Sequence, residues 1–188
     1  KSLATAKILA NHFSFEAFNQ LRTEEQLGYA VGATDYPLNE YAGIGLYIQS
    51  PVMDLTQAQA RFDKFKVEYK ALLDGLSQES FDKMKSGVLM SLTEAPKNLY
   101  QEISPIFNDW EKENWNYDSK AKLIEQVKLV SLDDIKQFYQ ATLANPNAAR
   151  VNVQLRGAKY QDKPFATLTN QVVITDAAKV ASKVSYQK

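Results

Sequence analysis

The chain has 188 residues, of which 45% are hydrophobic and 23% charged, a composition typical of one ordinary globular domain. Lysine plus arginine equals aspartate plus glutamate, at 22 each, so charge gives no reason to expect nucleic acid or an anionic membrane as a partner. The absence of cysteine excludes disulfide bonds, thiol catalysis and thiolate metal sites.

The first predicted element is a helix over about residues 2–21. Its apolar side chains recur every three or four positions, at Leu3, Ala6, Ala10, Phe13, Ala17 and Leu21. The sequence starts at Lys1, at the edge of this pattern, and shows no targeting signal. We therefore expect a piece of a longer polypeptide that begins near the start of a helix.

The period then changes to two, which predicts a β-hairpin over about residues 26–50. Two alternating runs flank the turn residues 36–40, and Pro51 closes the second run. The apolar or aromatic positions are Leu27, Tyr29 and Val31 in the first run and Ile44, Leu46 and Ile48 in the second.

Helical periodicity returns from residue 54 and predicts five helices, over about 54–75, 77–95, 98–114, 118–130 and 131–143. Asp54 or Thr56, Ser77 and Ser131 stand at the starts as N-cap residues, and Asp134 completes a capping-box pattern with Ser131. Residues 150–156 alternate cleanly between polar and apolar side chains, which predicts a third strand.

The order helix, hairpin, helices, strand predicts an α+β fold in which several helices pack on a small, mostly antiparallel sheet. We expect residues 1–157 to form a single domain and residues 158–188 to be a tail that packs on it. Because three strands are few for so many helices, we expect the first strands of the sheet to precede residue 1.

The histidine count limits the possible chemistry. His12 is alone, so the chain cannot build a two-histidine zinc site, and no serine elbow supports a catalytic triad. We interpret His12 as a structural residue. The acidic pairs suit solvated helix ends, and the many aromatic residues fall at core spacing without the basic neighbours of an RNA-binding sheet.

Arg22 and Tyr29 are different, because they flank the predicted change from helix to strand. A chain reversal there can bring a guanidinium fork and a phenol hydroxyl to one end of the hairpin, where both suit a peptide carbonyl or an oxyanion. The residues alone leave an alternative open. Arg22 can cap helix carbonyls or pair with an acidic neighbour, and Tyr29 can pack beside Val31.

The string from Leu21 to Tyr29, Leu-Arg-Thr-Glu-Glu-Gln-Leu-Gly-Tyr, resembles a motif of the pitrilysin and insulin-degrading-enzyme branch of the M16 (insulinase) zinc peptidases. The resemblance covers about residues 1–156 and points to the last homologous domain of such an enzyme. Further landmarks agree in order, namely 47–50, 94–99, Trp110, 116–118, 131–135 and 138–139.

This resemblance implies the carboxy-terminal domain of a zinc metalloendopeptidase that cleaves peptides and small proteins. The amino-terminal half of the same polypeptide would carry the zinc, while Arg22 and Tyr29 would hold the substrate backbone and stabilise the tetrahedral intermediate. No zinc ligand is expected in this chain, which alone should be inactive. The resemblance also implies a periplasmic parent protein, because the bacterial relatives are exported.

Two other functions remain open at this stage. The first is an inert scaffold or interaction domain of the same fold, and the second is a peptide-binding module that uses the hairpin edge for strand addition. The expected partners are peptide substrates and the zinc-carrying half, without nucleic acid or membrane. The isolated chain can also associate with itself through surface that normally faces its neighbours.

Overall fold

The structure is a computed structural model that describes residues 1–38, 41–169 and 171–176. Within them the predicted α+β class is confirmed, with six α-helices and one antiparallel pair of strands. The elements are α1 (Ser2–Ala17), β1 (Ala30–Leu38), β2 (Tyr41–Gln49), α2 (Leu55–Asp74), α3 (Gln78–Thr93), α4 (Leu99–Glu111), α5 (Ser119–Lys128) and α6 (Leu132–Ala141).

The predicted hairpin is confirmed as the pair β1 and β2. The strands run antiparallel in register from Ala30 opposite Gln49 to Leu38 opposite Tyr41. Alternate residues pack against the core that includes α1, and the Ser14 hydroxyl accepts a 2.9 Å hydrogen bond from the Ala33 backbone N–H. Residues 39 and 40 of the predicted turn lie outside the described residues.

One hydrophobic core joins α1 to the hairpin and to α2, α3, α5 and α6. Phe13 of α1 lies at its centre, with ring centroids 5.2 Å from Phe65, 4.6 Å from Tyr69 and 6.5 Å from Tyr139. Rings at these separations add favourable edge contacts to the gain from burial. The buried cluster comprises Ala4, Ile8, Leu9, Phe13, Ala17, Leu21, Val31, Phe65, Tyr69, Leu73, Phe81, Val88, Val127, Val130, Ile135 and Tyr139.

The predicted helix starts at Asp54, Ser77 and Ser131 are confirmed. Asp54 accepts from the backbone N–H of Gln57 at 2.9 Å, and the Gln57 side chain accepts in return from the Asp54 N–H at 3.0 Å. Ser131 and Asp134 exchange the equivalent pair of bonds. Each cap satisfies backbone donors that the first helical turn leaves unpaired.

The third strand predicted at Arg150–Arg156 is wrong for the part of the chain that the structure describes, because no strand pairs with these residues. The polar side chain of Asn152 is anchored, donating to Gln59 Oε1 at 2.8 Å. The apolar side chains point to solvent, and Val151 is 90% exposed. Alternation of polar and apolar side chains suits a β-strand, but a strand forms only where another strand's backbone is available for pairing.

The tail begins with a short 3₁₀ turn at Ala158–Tyr160, where Lys159 Nζ and Tyr160 Oη both donate to the backbone oxygen of Pro51, at 2.9 and 3.1 Å. The rest of the predicted tail after Asp176 lies outside the described residues. Across the described ranges, no helix is long and apolar enough to cross a bilayer.

Candidate functional site

The first helix does not end where α1 ends, because a π-helical segment (Phe18–Glu24) continues it. The Glu25 N–H bonds to Gln20 O at 2.9 Å, and the Leu27 N–H returns to Leu21 O at 2.9 Å. Gln26 between them adopts a left-handed backbone with φ of 53°. The left-handed residue ends the helical geometry, and a non-glycine residue in that conformation costs about 1 kcal/mol or more.

Tyr29 lies immediately before β1, and its hydrogen bond departs from the regular register of the two strands. Its N–H donates to Gln49 O at 2.8 Å, although Gln49 is already the register partner of Ala30. Two residues therefore face one, as in a β-bulge, and bulges re-aim side chains at sheet ends. Val31 is buried, whereas Tyr29 is 78% exposed, so the alternative in which Tyr29 packs beside Val31 is wrong.

Arg22 lies in the last turn of the π-helical segment and reaches the same corner. Its Nε donates to the backbone oxygen of Tyr29 at 3.2 Å. Among the described residues no ion pair joins Arg22 to Glu16, Glu24 or Glu25. The structure thus brings the two predicted site residues together. We call this group, Arg22 with the exposed Tyr29, the RY corner.

Gly28 allows the close approach that shapes the RY corner. A Cβ atom at Gly28 would lie 2.8 Å from Ile48 Cγ1 and 2.9 Å from Gln49 O, inside normal contact distance. Ser50 fixes the same backbone, since its hydroxyl donates to Leu27 O and accepts from the Met53 N–H at 3.0 Å. The role of Ser50 was not predicted, whereas a glycine at the change of period is a visible sequence signal for a close backbone approach.

Arg61 of α2 contacts Glu25, the residue that follows the π-helical segment. Its Nε donates to Glu25 Oε2 at 2.8 Å and Nη2 contacts the other carboxylate oxygen, while Nη1 lies 3.0 Å from Glu68 Oε2. Hydrogen bonding from Arg61 lowers the pKa of the Glu25 carboxyl. No local pattern indicates this contact, because 36 residues separate the partners.

His12 takes the structural role predicted for it. Its Nδ1 lies 2.7 Å from the Tyr69 hydroxyl, and its Nε2 lies 3.6 Å from Glu16 Oε1. Burial lowers the pKa of the His12 imidazole and raises that of the Tyr69 phenol. In the described ranges no three His, Cys, Asp or Glu side chains are grouped so that they fit a metal ion.

The family described as "PQQ synthase PqqF-like, C-terminal lobe domain 4" matches residues 8–107, which include the whole RY corner. The chain is 30% identical to Protease 3 of Salmonella typhi over 142 residues, covering 76% of this chain and 15% of that protein. It is 28% identical to insulin-degrading enzyme of Mus musculus over 149 residues, covering 78% of this chain and 14% of that protein.

Among solved structures, the crystal structure of pitrilysin matches with a TM-score of 0.69 and 29% identity. That match covers 76% of this chain and 15% of the pitrilysin chain. The sequence resemblance is confirmed by these comparisons. The chain spans about 15% of the length of the curated relatives it matches.

Proposed function

We propose that this chain clamps substrate for a zinc-dependent endopeptidase. The chain belongs to the family of PqqF-like C-terminal-lobe domains, and it is similar to parts of pitrilysin and insulin-degrading enzyme. The enzyme would cleave peptides and small proteins. The observation that carries the proposal is the hydrogen bond from Arg22 Nε to Tyr29 O, which holds a guanidinium against the backbone of a residue whose side chain is exposed.

The proposed chemistry uses two kinds of donor at one place. The Tyr29 hydroxyl donates to the scissile carbonyl oxygen as negative charge develops there, and the guanidinium of Arg22 attracts that charge and orients the substrate backbone. The bond from Nε occupies one donor of Arg22 and leaves the fork of two terminal nitrogens for substrate. Preorganised donors of this kind cost no rearrangement during the reaction.

The zinc in this proposal belongs to another part of the polypeptide. The described residues do not fit a zinc site, because His12 is engaged with Tyr69 and no cluster of three ligands exists among them. The metal would activate the attacking water, and this chain would bind the substrate and stabilise charge on it. The parent protein would act in the periplasm, and this chain alone would be inactive.

The test is complementation, in which this chain is mixed with the separately made zinc-carrying remainder of the enzyme and peptide cleavage is measured. Tyr29→Phe should lower kcat by about 10²-fold, the scale of one lost oxyanion donor. Tyr41→Phe is the matched control, because Tyr41 is also 78% exposed but stands at the far end of the hairpin. Equal activity of both variants would remove the catalytic role.

Arg22→Ala tests the other residue of the RY corner. It should lower kcat on a similar scale and also raise KM, because it removes the charge and loosens the backbone of Tyr29.

The two other functions predict different results. An inert scaffold predicts no cleavage when both pieces associate. A strand-adding peptide module predicts that the isolated chain binds unrelated peptides tightly, whereas half of a clamp contributes part of a groove and binds weakly.

A further inference from the structure

The chain segment that carries Arg22 is bonded to α2 at two points, one on each side of Arg22. Glu25 receives two nitrogens of Arg61, and Gln20 donates to Glu68 Oε2 at 2.9 Å. Arg61 and Glu68 lie seven residues apart, two turns along one face of the helix. The π-helical segment and the residue after it are therefore both bonded to one helix.

Arg61 is the shared member of this network. Its side chain is only 11% exposed, and Nη1 faces Glu68 without the alignment of a hydrogen bond. The bidentate contact with Glu25 fixes the orientation of that carboxylate, because the guanidinium fork is planar and rigid. Lysine would offer a point charge at the end of a flexible stem and would not fix the angle.

The corner needs such an external hold. Gln26 directly follows Glu25 and pays for a left-handed backbone, and the π-helical geometry before it is rare. Such conformations persist only where the surroundings determine them. Because Tyr29 lies only four positions after Glu25 and Arg22 three positions before it, we expect a shift of Glu25 to disturb the bond between Arg22 and Tyr29.

We infer that Arg61 is a positioning residue for the RY corner, acting through its two-point contact with Glu25. This inference rests on the proposed function for its effect on cleavage, but its structural part does not. Arg61 touches no reacting atom. It keeps the π-helical end and the left-handed Gln26 in the one arrangement that places Arg22 against the backbone of Tyr29.

The structural part is tested by hydrogen exchange on the chain alone. Arg61→Gln should speed exchange of the Leu27 and Tyr29 amides, which bond to Leu21 O and Gln49 O, by about tenfold or more. Lys70→Gln is the control, since it breaks an exposed ion pair with Asp74 on the same helix. Unchanged exchange at both amides in Arg61→Gln would overturn the inference, whatever the enzyme does.

The functional part is tested in the complemented enzyme. Arg61→Gln should lower kcat by about 10- to 100-fold, the effect of misplacing a group by an ångström or less, and Arg61→Lys should rescue little of it. In a Tyr29→Phe background the same change should cost much less, because the positioned hydroxyl is already gone. Additive losses would mean general destabilisation and would overturn the inference.

The outcomes separate the two proposals. Loss of activity in Tyr29→Phe with none in Arg61→Gln would overturn the positioning role and leave the proposed function standing. Full activity in Tyr29→Phe together with faster amide exchange in Arg61→Gln would overturn the proposed function and keep the structural role of Arg61. Glu25→Gln should reproduce Arg61→Gln, and the double variant should lose no more than either single variant.

Discussion

The hairpin and the segment Arg150–Arg156 carry the same sequence signal and have different structures. Both alternate between apolar and other side chains. Strands β1 and β2 pair with each other and place one face on the core, whereas residues 150–156 have no strand beside them in the described part of the chain. Period-two patterning therefore selects which side chains share a face, while a neighbouring backbone and a covering layer create the strand.

The greatest loss of stability is expected from removing a side chain at the centre of the core. Phe13→Ala should lower the free energy of unfolding by about 3–5 kcal/mol, because the ring is fully buried among Phe65, Tyr69 and Tyr139. Urea denaturation measures the change. Phe15→Ala is the control from the same helix, where the ring is exposed and the loss should be under about 0.5 kcal/mol. Similar losses would contradict this account of the core.

A smaller effect should follow from crowding the start of the hairpin. Gly28→Ala should cost about 1–3 kcal/mol, because the new methyl group would meet Ile48 and the backbone oxygen of Gln49 within 3 Å. Gly157→Ala, in the unpaired carboxy-terminal region, places its methyl group in open space and should cost nothing measurable. If thermal unfolding showed equal shifts for both, the corner would be looser than its contacts indicate.

The packed region should also respond to pH through its one histidine. Burial lowers the pKa of His12 below 6.5 in the folded chain, so the unfolded chain binds the proton more readily. The stability is therefore complete above pH 6.5 and falls as the pH drops through that value. Urea midpoints at pH 8 and pH 6 measure this loss, and His12→Gln should flatten the dependence.

Glu16 changes the stability with pH in the opposite direction to His12. Burial and the nearby charge of Glu24 raise the pKa of Glu16 above 4.5, so this carboxyl favours folding as the pH falls toward its folded pKa. Glu16→Gln removes this contribution. A loss of stability toward pH 6 that persists unchanged in His12→Gln would assign the pH response to another group.

Local sequence signals predicted most of the fold. Helical spacing and the caps at Asp54, Ser77 and Ser131 were sufficient, because each depends on residues within one or two turns. The missing strand at 150–156 was not predictable, because pairing depends on distant backbone. The apolar pattern also did not show the π-helical continuation of α1. A short segment with i→i+5 hydrogen bonds does not produce an apolar spacing that differs from that of an α-helix.

The candidate site divides in the same way. Arg22 and Tyr29 were identified from the motif and from their position at the change of period, and the chain reversal that joins them depends on adjacent residues. Arg61 was not identified, because its contact with Glu25 spans 36 residues and arginine in an amphipathic helix is ordinary. The exposure of Tyr29 depends on a bulge, and alternation alone places that side chain on the buried face.

Lysine substitutions test the contrast between the hairpin and residues 150–156. Val153→Lys should change the free energy of unfolding by less than about 0.5 kcal/mol, because the side chain is 79% exposed and touches no core. Val31→Lys in β1 should cost several kcal/mol by burying a charge at a position that is 5% exposed. A comparable loss in Val153→Lys would show that residues 150–156 are covered in solution. The alternating pattern would then have predicted a real strand, and the contrast with the hairpin would fail.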